Sequence, residues 1–438
     1  MSNNQTTDGA ETSDGVAVRR AALSMLGAVL RRGQALSEAL AVGRDALSSR
    51  DRRFAHAIVA ETLRHLGEID HLIGHCLDHE LPARAGPVRD ILRISTAQLL
   101  FIGVPAHAAV DGAVRQLPAN NRYRGLVNAV LRRLARDGAD LLAADPAQSR
   151  NLPNWLRERW QATYGEETTV KIQALLASQP PLDFTLKQSV DAADIADRLA
   201  AQRLPTGSLR RQQTANPVDL AGYLEGHWWI QDAAAALPAT LLGAVAGKRV
   251  FDLCAAPGGK TAQLIDSGGQ VTAVDRSRAR LHRLRDNLSR LDLRADCVEA
   301  DVTTWRPDQA ADAVLLDAPC TGTGTLRRHP DIAWTKMPED LAGLIAAQDR
   351  LLAAAVALTK PGGVIVYCTC SMEPEEGEHR IDALIAGGAP IRRMPLTPAD
   401  VFDLDALVTD AGDLRTLPCH LPEFGGIDGF YACRLQRI

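Results

Sequence analysis

A chain of 438 residues is long enough for two or three domains, each with a core of its own. With 46% hydrophobic and 23% charged residues it is an ordinary globular composition, which argues against a fibrous or wholly disordered chain. A net charge of −4 and 4% aromatic content supply no global attraction for nucleic acid, so any such binding must rest on local basic surface.

Residues 1–15 are polar and acidic, without the basic and apolar regions of a signal peptide, and are expected to be a disordered tail. From 16 to 150 the pattern is helical. Leu23, Leu26 and Leu30, then Ile69, Leu72, Ile73 and Cys76, then Leu126, Val130, Leu131 and Leu134 recur at three and four, as on one helix face. This predicts an all-α domain. Pro153 and the stretch Trp155 to Tyr164 open a transition, and residues 151–225, with a helix over 191–201, read as a small α+β linker domain.

Beyond 226 strands and helices alternate: strands at 250–253, 271–275, 297–301, 313–317 and 363–370, with helices at 261–265, 278–291 and 341–358 between them. That alternation predicts a doubly wound α/β domain over 226–438, with its ligand beyond the carboxyl ends of the strands. The apolar runs 98–104 and 363–366 are too short to span a bilayer. The eight cysteines form no Cys-x-x-Cys pair, so a zinc ribbon is not expected and no metal site is foreseen.

The chemistry-bearing runs fall at predicted strand ends. In Asp252-Leu-Cys-Ala-Ala-Pro-Gly-Gly-Lys-Thr261 a strand turns through Pro257, Gly258 and Gly259 into a helix, presenting backbone N–H groups to a ligand. Gly259-Lys260-Thr261 matches the end of a phosphate-binding Walker loop, but Cys254 stands where that loop needs glycine. Asp275, about twenty residues on, is placed for ribose hydroxyls, and Asp301 and Asp317 end the next two strands. Each acid alone could be a helix cap or a surface group. Together, without a Gly-x-Gly-x-x-Gly run, they fit a nucleoside ligand lacking a triphosphate, such as S-adenosyl-L-methionine.

Asp317-Ala-Pro-Cys320 carries a thiol where methyltransferases acting on exocyclic amines carry an aromatic. A thiolate suits carbon 5 of cytosine, which becomes nucleophilic only after addition at carbon 6. Cys370 of Tyr367-Cys-Thr-Cys-Ser371 is a second candidate, and the residues alone leave the two thiols symmetric. Cys368, on the same strand face, reads as a small core residue.

The runs DLCAAPGGKT, DAPCTGTGTLRRHPDIAW and YCTCSMEPEE, in this order, resemble the signature motifs of the bacterial Sun/Fmu family. These are 16S ribosomal RNA cytosine-C5 methyltransferases within the NOL1/NOP2/Sun superfamily. Asp51-Arg-Arg-Phe-Ala and Leu126-Val-Asn-Ala-Val-Leu-Arg-Arg133 resemble its NusB-like front domain, and Gln231-Asp232 and Asp428-Gly-Phe430 also fit. The resemblance implies a NusB-like RNA-binding domain, a linker domain and a Rossmann-like class I methyltransferase domain. It implies Cys370 as nucleophile, Cys320 as the residue assisting release, and Asp317 between cofactor and base. The run Cys254, Ala255, Ala256, Pro257, Gly258, Gly259 and Lys260 would line the cofactor's methionine end, with Asp275 at the ribose and Asp301 by the adenine. It further implies a small-subunit ribosomal RNA partner, a cytoplasmic location without membrane contact, and, by default, a monomer.

Phe184-Thr-Leu-Lys-Gln188 departs from the Arg-Val-Asn run of the family, and Thr321 replaces its commoner serine. Arg115, Arg122, Arg124, Arg132, Arg133 and Arg136, and separately Arg327 and Arg328, are candidates for phosphate contact. Two rival readings stand beside this one: a transfer-RNA methyltransferase of the same superfamily, and a NusB-type binding protein without catalysis.

Overall fold

The computed structural model describes residues 8–41, 47–144, 148–213 and 215–438, and the chain divides into two compact units. The first comprises residues up to Ala177 together with His329–Met337, and the second holds Ser178–Arg328 and Pro338–Ile438. Of the stretch 1–15 expected as a tail, residues 1–7 lie outside the described residues, and from Asp8 the chain is already helical. The segment 151–225 is divided as well: its helices Asn154–Tyr164 and Glu166–Leu176 pack in the first unit and its strands lie in the second.

Helices Asp8–Arg32, Ser49–Arg64, Leu66–His75, Gly86–Ala97, Ala106–Arg115 and Arg124–Ala144 build the first unit. The apolar stripes do what their spacing requires: Leu26, Ile69, Leu72, Ile73, Val130, Leu131 and Leu134 are buried, with Leu23 packed against both core clusters. The strap His329–Met337 completes this unit. Trp334 packs against its core and donates Nε1–H to the Leu63 carbonyl at 2.9 Å, and Asp331 accepts the Leu36 N–H at 2.9 Å.

In the second unit, strands β1 (Leu182–Leu186), β2 (Gln202–Arg203), β3 (Leu209–Arg211) and β4 (Trp228–Ile230) form a small sheet in the order β2-β3-β1-β4. Phe184 and Trp228 are fully buried in its core, so the departure at 184–188 begins with a packing residue. The large sheet is built from β5 (Arg249–Leu253), β6 (Gln270–Asp275), β7 (Asp296–Glu299), β8 (Ala311–Asp317), β9 (Thr359–Thr369), β10 (Ile391–Arg393), β11 (Leu414–Thr416) and β12 (Phe430–Arg437). Its order is β10-β12-β9-β8-β5-β6-β7, with β11 also pairing β12.

The chain runs outward from β5 through β6 to β7, then returns to the other side of β5 for β8 and β9. All five of these strands are parallel. The crevice between the ends of β5 and β8 is therefore the topological switch point, where ligands bind in such sheets. Beyond β9 the sheet turns antiparallel through β12, a feature the parallel expectation lacked. β12 sets Ala432 opposite Cys368 and Tyr431 opposite Thr369. Among the described residues one helix, Asp340–Leu358, is long and apolar enough to cross a membrane, and its Leu351, Leu352 and Ala355 belong to the sheet's core.

Candidate active site

The loops at the carboxyl ends of all five parallel strands surround a cavity of about 370 Å³. After β5, Cys254 takes a left-handed conformation (φ +62°) and Gly258 another (φ +102°), so the loop folds back before the helix Gly259–Asp266. A Cβ on Gly258 would sit 2.9 Å from Leu284, which explains glycine there twice over. Cys254, Ala256 and Pro257 line the cavity, whereas Ala255, Gly258, Gly259 and Lys260 shape the loop behind it. Burial pushes the Cys254 thiol up to about 12, so it is a neutral wall.

Lys260 does not face the cavity as a phosphate-binding lysine would. Its Nζ donates to Asp317 Oδ2 at 2.8 Å and lies 4.9 Å from the centre of the Phe430 ring. Burial opposes its charge, but Asp317 more than offsets that and raises its pKa. The triphosphate reading of the loop fails on this geometry. Asp275, at the end of β6, is buried and accepts the N–H of Ala256 at 3.2 Å and of Ser277 at 2.9 Å, tying the first loop to the second. Asp301 is exposed at the rim, where its Oδ1 accepts the Thr303 N–H at 2.9 Å and hydroxyl at 2.7 Å. It caps a turn and lines the cavity at once; the bonds from Thr303 hold its carboxyl below the usual range.

The two cysteines come together. Cys320, after β8, and Cys370, after β9, both line the cavity, with their sulfurs 3.5 Å apart. The hydrogen bond to Cys370, and burial after it, push the Cys320 thiol well above its ordinary value. Cys368 is fully buried, with its sulfur 3.5 Å from Asp317 Oδ1, and burial keeps it a thiol.

A family profile described as 16S rRNA methyltransferase RsmB/F matches residues 239–436, and one for the NusB family matches residues 16–136. Ribosomal RNA small subunit methyltransferase B of Vibrio cholerae is 34% identical over 399 residues, covering 87% of this chain and 92% of its own. The protein of that name from Pseudomonas putida is 33% identical over 442 residues, covering 96% and 98%. The chain belongs to the 16S rRNA methyltransferase family. The crystal structure of PH0851 shares the fold, with a TM-score of 0.75 at 23% identity over 97% of this chain and 98% of that one.

The methyl donor of this methyltransferase family is S-adenosyl-L-methionine. The residues present fit it: the cavity has the size of a nucleoside site, and its three carboxylates, Asp275, Asp301 and Asp317, suit hydroxyl, amine and sulfonium groups. Sequence reasoning missed the rest of the lining, notably Arg276, Arg280 and Arg350. Of these, Arg280 donates to the Ala256 carbonyl and lies 3.5 Å from Asp275. It also missed Gln348 and Glu376, buried behind the cysteines, although Glu376 belongs to the Pro-Glu-Glu of the third motif.

The arginines after the cysteine loop are not free for phosphate. Arg327 is buried, 3.0 Å from Asp232, and Arg328 pairs with Asp428. With Asp183 and Arg210, themselves bonded at 2.6 Å, these residues form a charge-balanced interior network. Burial pushes the Asp183 and Asp428 carboxyls up; against the same push, Arg327 and Arg328 hold Asp232 below its usual range. In the helical unit, Arg124 is held by the carbonyls of Val114 and Leu117 and Arg115 by Asp111. Arg132, Arg133 and Arg136 are exposed.

Proposed function

We propose that this chain methylates carbon 5 of a cytosine in small-subunit ribosomal RNA through a covalent adduct of Cys370 with carbon 6. The observation that carries the reading is the pair of sulfurs 3.5 Å apart on the cavity wall. S-adenosyl-L-methionine, when bound, supplies an electrophilic methyl group. Cys254, Ala256, Pro257 and Asp275 would hold it at the end of β5 and β6, Asp275 at the ribose, with Asp301 towards the adenine.

The target cytosine has to leave its stack to reach the thiols. Asp317, anchored by Lys260, is then placed to accept a hydrogen bond from the base's exocyclic amine, which uracil lacks. A Cys370 thiolate adds to carbon 6, and the electron pair displaced onto carbon 5 takes the methyl group. Lys260 and Arg328 both lie within electrostatic reach of Cys370. A base then takes the carbon 5 proton, the freed electron pair re-forms the double bond, and the carbon 6–sulfur pair leaves with Cys370 as its thiolate. We assign Cys320 to this release step. Its location would be the cytoplasm, where thiols stay reduced.

The test is a denaturing gel of variants with ribosomal RNA and labelled cofactor. Cys370→Ala should transfer no methyl group and form no adduct, whereas Cys320→Ala should methylate and then stall as a covalent complex. An adduct in Cys370→Ala, with none in Cys320→Ala, would exchange the two roles. Bisulfite sequencing of RNA from cells lacking the gene separates the substrates: loss at a transfer-RNA position would replace the ribosomal assignment.

A further inference from the structure

Behind the cavity wall, the peptide bonds on both sides of Cys320 are held by two residues that touch no part of the cavity. Gln348, from the helix Asp340–Leu358, donates Nε2–H to the Pro319 carbonyl and to Glu376 Oε1, both at 2.9 Å. Both partners are acceptors, which fixes the orientation of the amide. Glu376, in the turn that follows Cys370, accepts the Thr321 N–H at 3.0 Å and the Thr321 hydroxyl at 2.5 Å. Both side chains are fully buried. Tyr367 of β9 donates its hydroxyl to the Glu376 carbonyl at 2.7 Å, so the turn itself is anchored to the strand that carries Cys370.

Resting on the two-thiol reading above, we infer that Gln348 and Glu376 are positioning residues that clamp the Pro319–Thr321 backbone and thereby hold Cys320 in register with Cys370 for release of the adduct. Several features favour this over a general packing role. The bonds converge on the two residues flanking Cys320. They link its loop to the Cys370 turn. Thr321 contributes both its backbone and its hydroxyl, and that explains why a hydroxyl side chain stands at this position.

The clamp acts through Cys320, so its loss should resemble loss of Cys320. Glu376→Gln and Gln348→Met keep side-chain volume while removing the acceptor charge and the two donated bonds, respectively. Each is assayed with ribosomal RNA and labelled cofactor, alone and in a Cys320→Ala background, beside thermal melting and cofactor binding. The single variants should accumulate about tenfold more covalent adduct than the native enzyme. Single-turnover methyl transfer should stay within about threefold, and kcat should fall with little change in the KM for RNA. In the Cys320→Ala background neither should add a further loss.

Unchanged adduct, or losses that multiply with Cys320→Ala, would overturn the clamp. Should Glu376→Gln fail to fold, Gln348→Met carries the same test. A Cys320→Ala enzyme that traps no adduct would instead strike the two-thiol reading itself.

Discussion

Cys254, Cys320, Cys368 and Cys370 sit within one cavity and its wall, and their surroundings divide the labour among them. Cys254 and Cys368 are kept neutral by burial; Cys320 is kept neutral chiefly by its neighbour. Asp252, beneath the first loop, is a different case. Burial pushes its carboxyl up to about 7 against the 2.5 Å bond from Thr261. The folded state then binds a proton that the unfolded state has released between about pH 4 and pH 7. Its contribution to stability therefore falls as pH rises through that window and is flat above it. Asp252→Asn should remove a decline of up to about 4 kcal/mol, read as a weaker pH dependence of the denaturation midpoint. Identical pH profiles for both proteins would count against a raised Asp252. Asp275→Ala, if this residue holds the cofactor's ribose, should weaken S-adenosylmethionine binding by about 1–3 kcal/mol, measured by calorimetry. An unchanged affinity would remove that assignment.

Among the elements, the antiparallel edge has a direct consequence for the site. The loop before β12 brings Gly429 against the cysteine loop: Gly429 donates N–H to the Gly324 carbonyl at 2.8 Å, and Gly324 donates to the Cys370 carbonyl at 2.9 Å. A Cβ on Gly324 would lie 1.9 Å from the Gly429 carbonyl oxygen, and one on Gly429 would meet the Gly324 Cα at 2.9 Å. Two backbones meet where side chains have no room. Gly324→Ala should therefore cost on the order of 3 kcal/mol in denaturant unfolding and most of the activity. Native-like stability would show that the loop can move aside. The motif Asp428-Gly-Phe430 gains its meaning here, since Asp428 holds Arg328, Gly429 admits the cysteine loop, and Phe430 lies under Lys260.

Across the full chain, the first unit is not contiguous in sequence. Removing residues 1–150 would strip Trp334 of the Leu63 carbonyl and Asp331 of the Leu36 N–H, so a truncated enzyme tests folding and RNA docking together. Substitution of exposed arginines avoids this. Arg132, Arg133 and Arg136 changed together to Gln should lower affinity for ribosomal RNA. If they meet phosphates, every arginine–phosphate pairing removed should flatten the slope of log affinity against log salt by roughly 0.7–0.9. An unaltered slope would place the phosphate-binding surface elsewhere. Arg327 is not a candidate for such a series, because its removal would leave Asp232 buried without that partner.

Periodic elements, and the chemistry at their ends, were legible in the order of residues alone. Helical stripes such as Ile69-Leu72-Ile73 and strand runs such as Val250–Leu253 are local signals, and the glycines, acids and cysteines that follow each strand could be read from spacing. The short strands β10 and β11, of three residues each, carry too little pattern to be read, and the direction of β12 depends on its partner. Arg327 and Arg328 read as candidates for phosphate contact because their partners, Asp232 and Asp428, lie about a hundred residues away in either direction. No spacing singles out Gln348 or Glu376, which the fold buries behind Cys320. Pairings across such separations have no period and no motif. Which carboxylates face a ligand cavity, which neutralise an arginine and which hold a loop was therefore set by the folded arrangement, where burial makes an unpaired charge costly and fixes each partner.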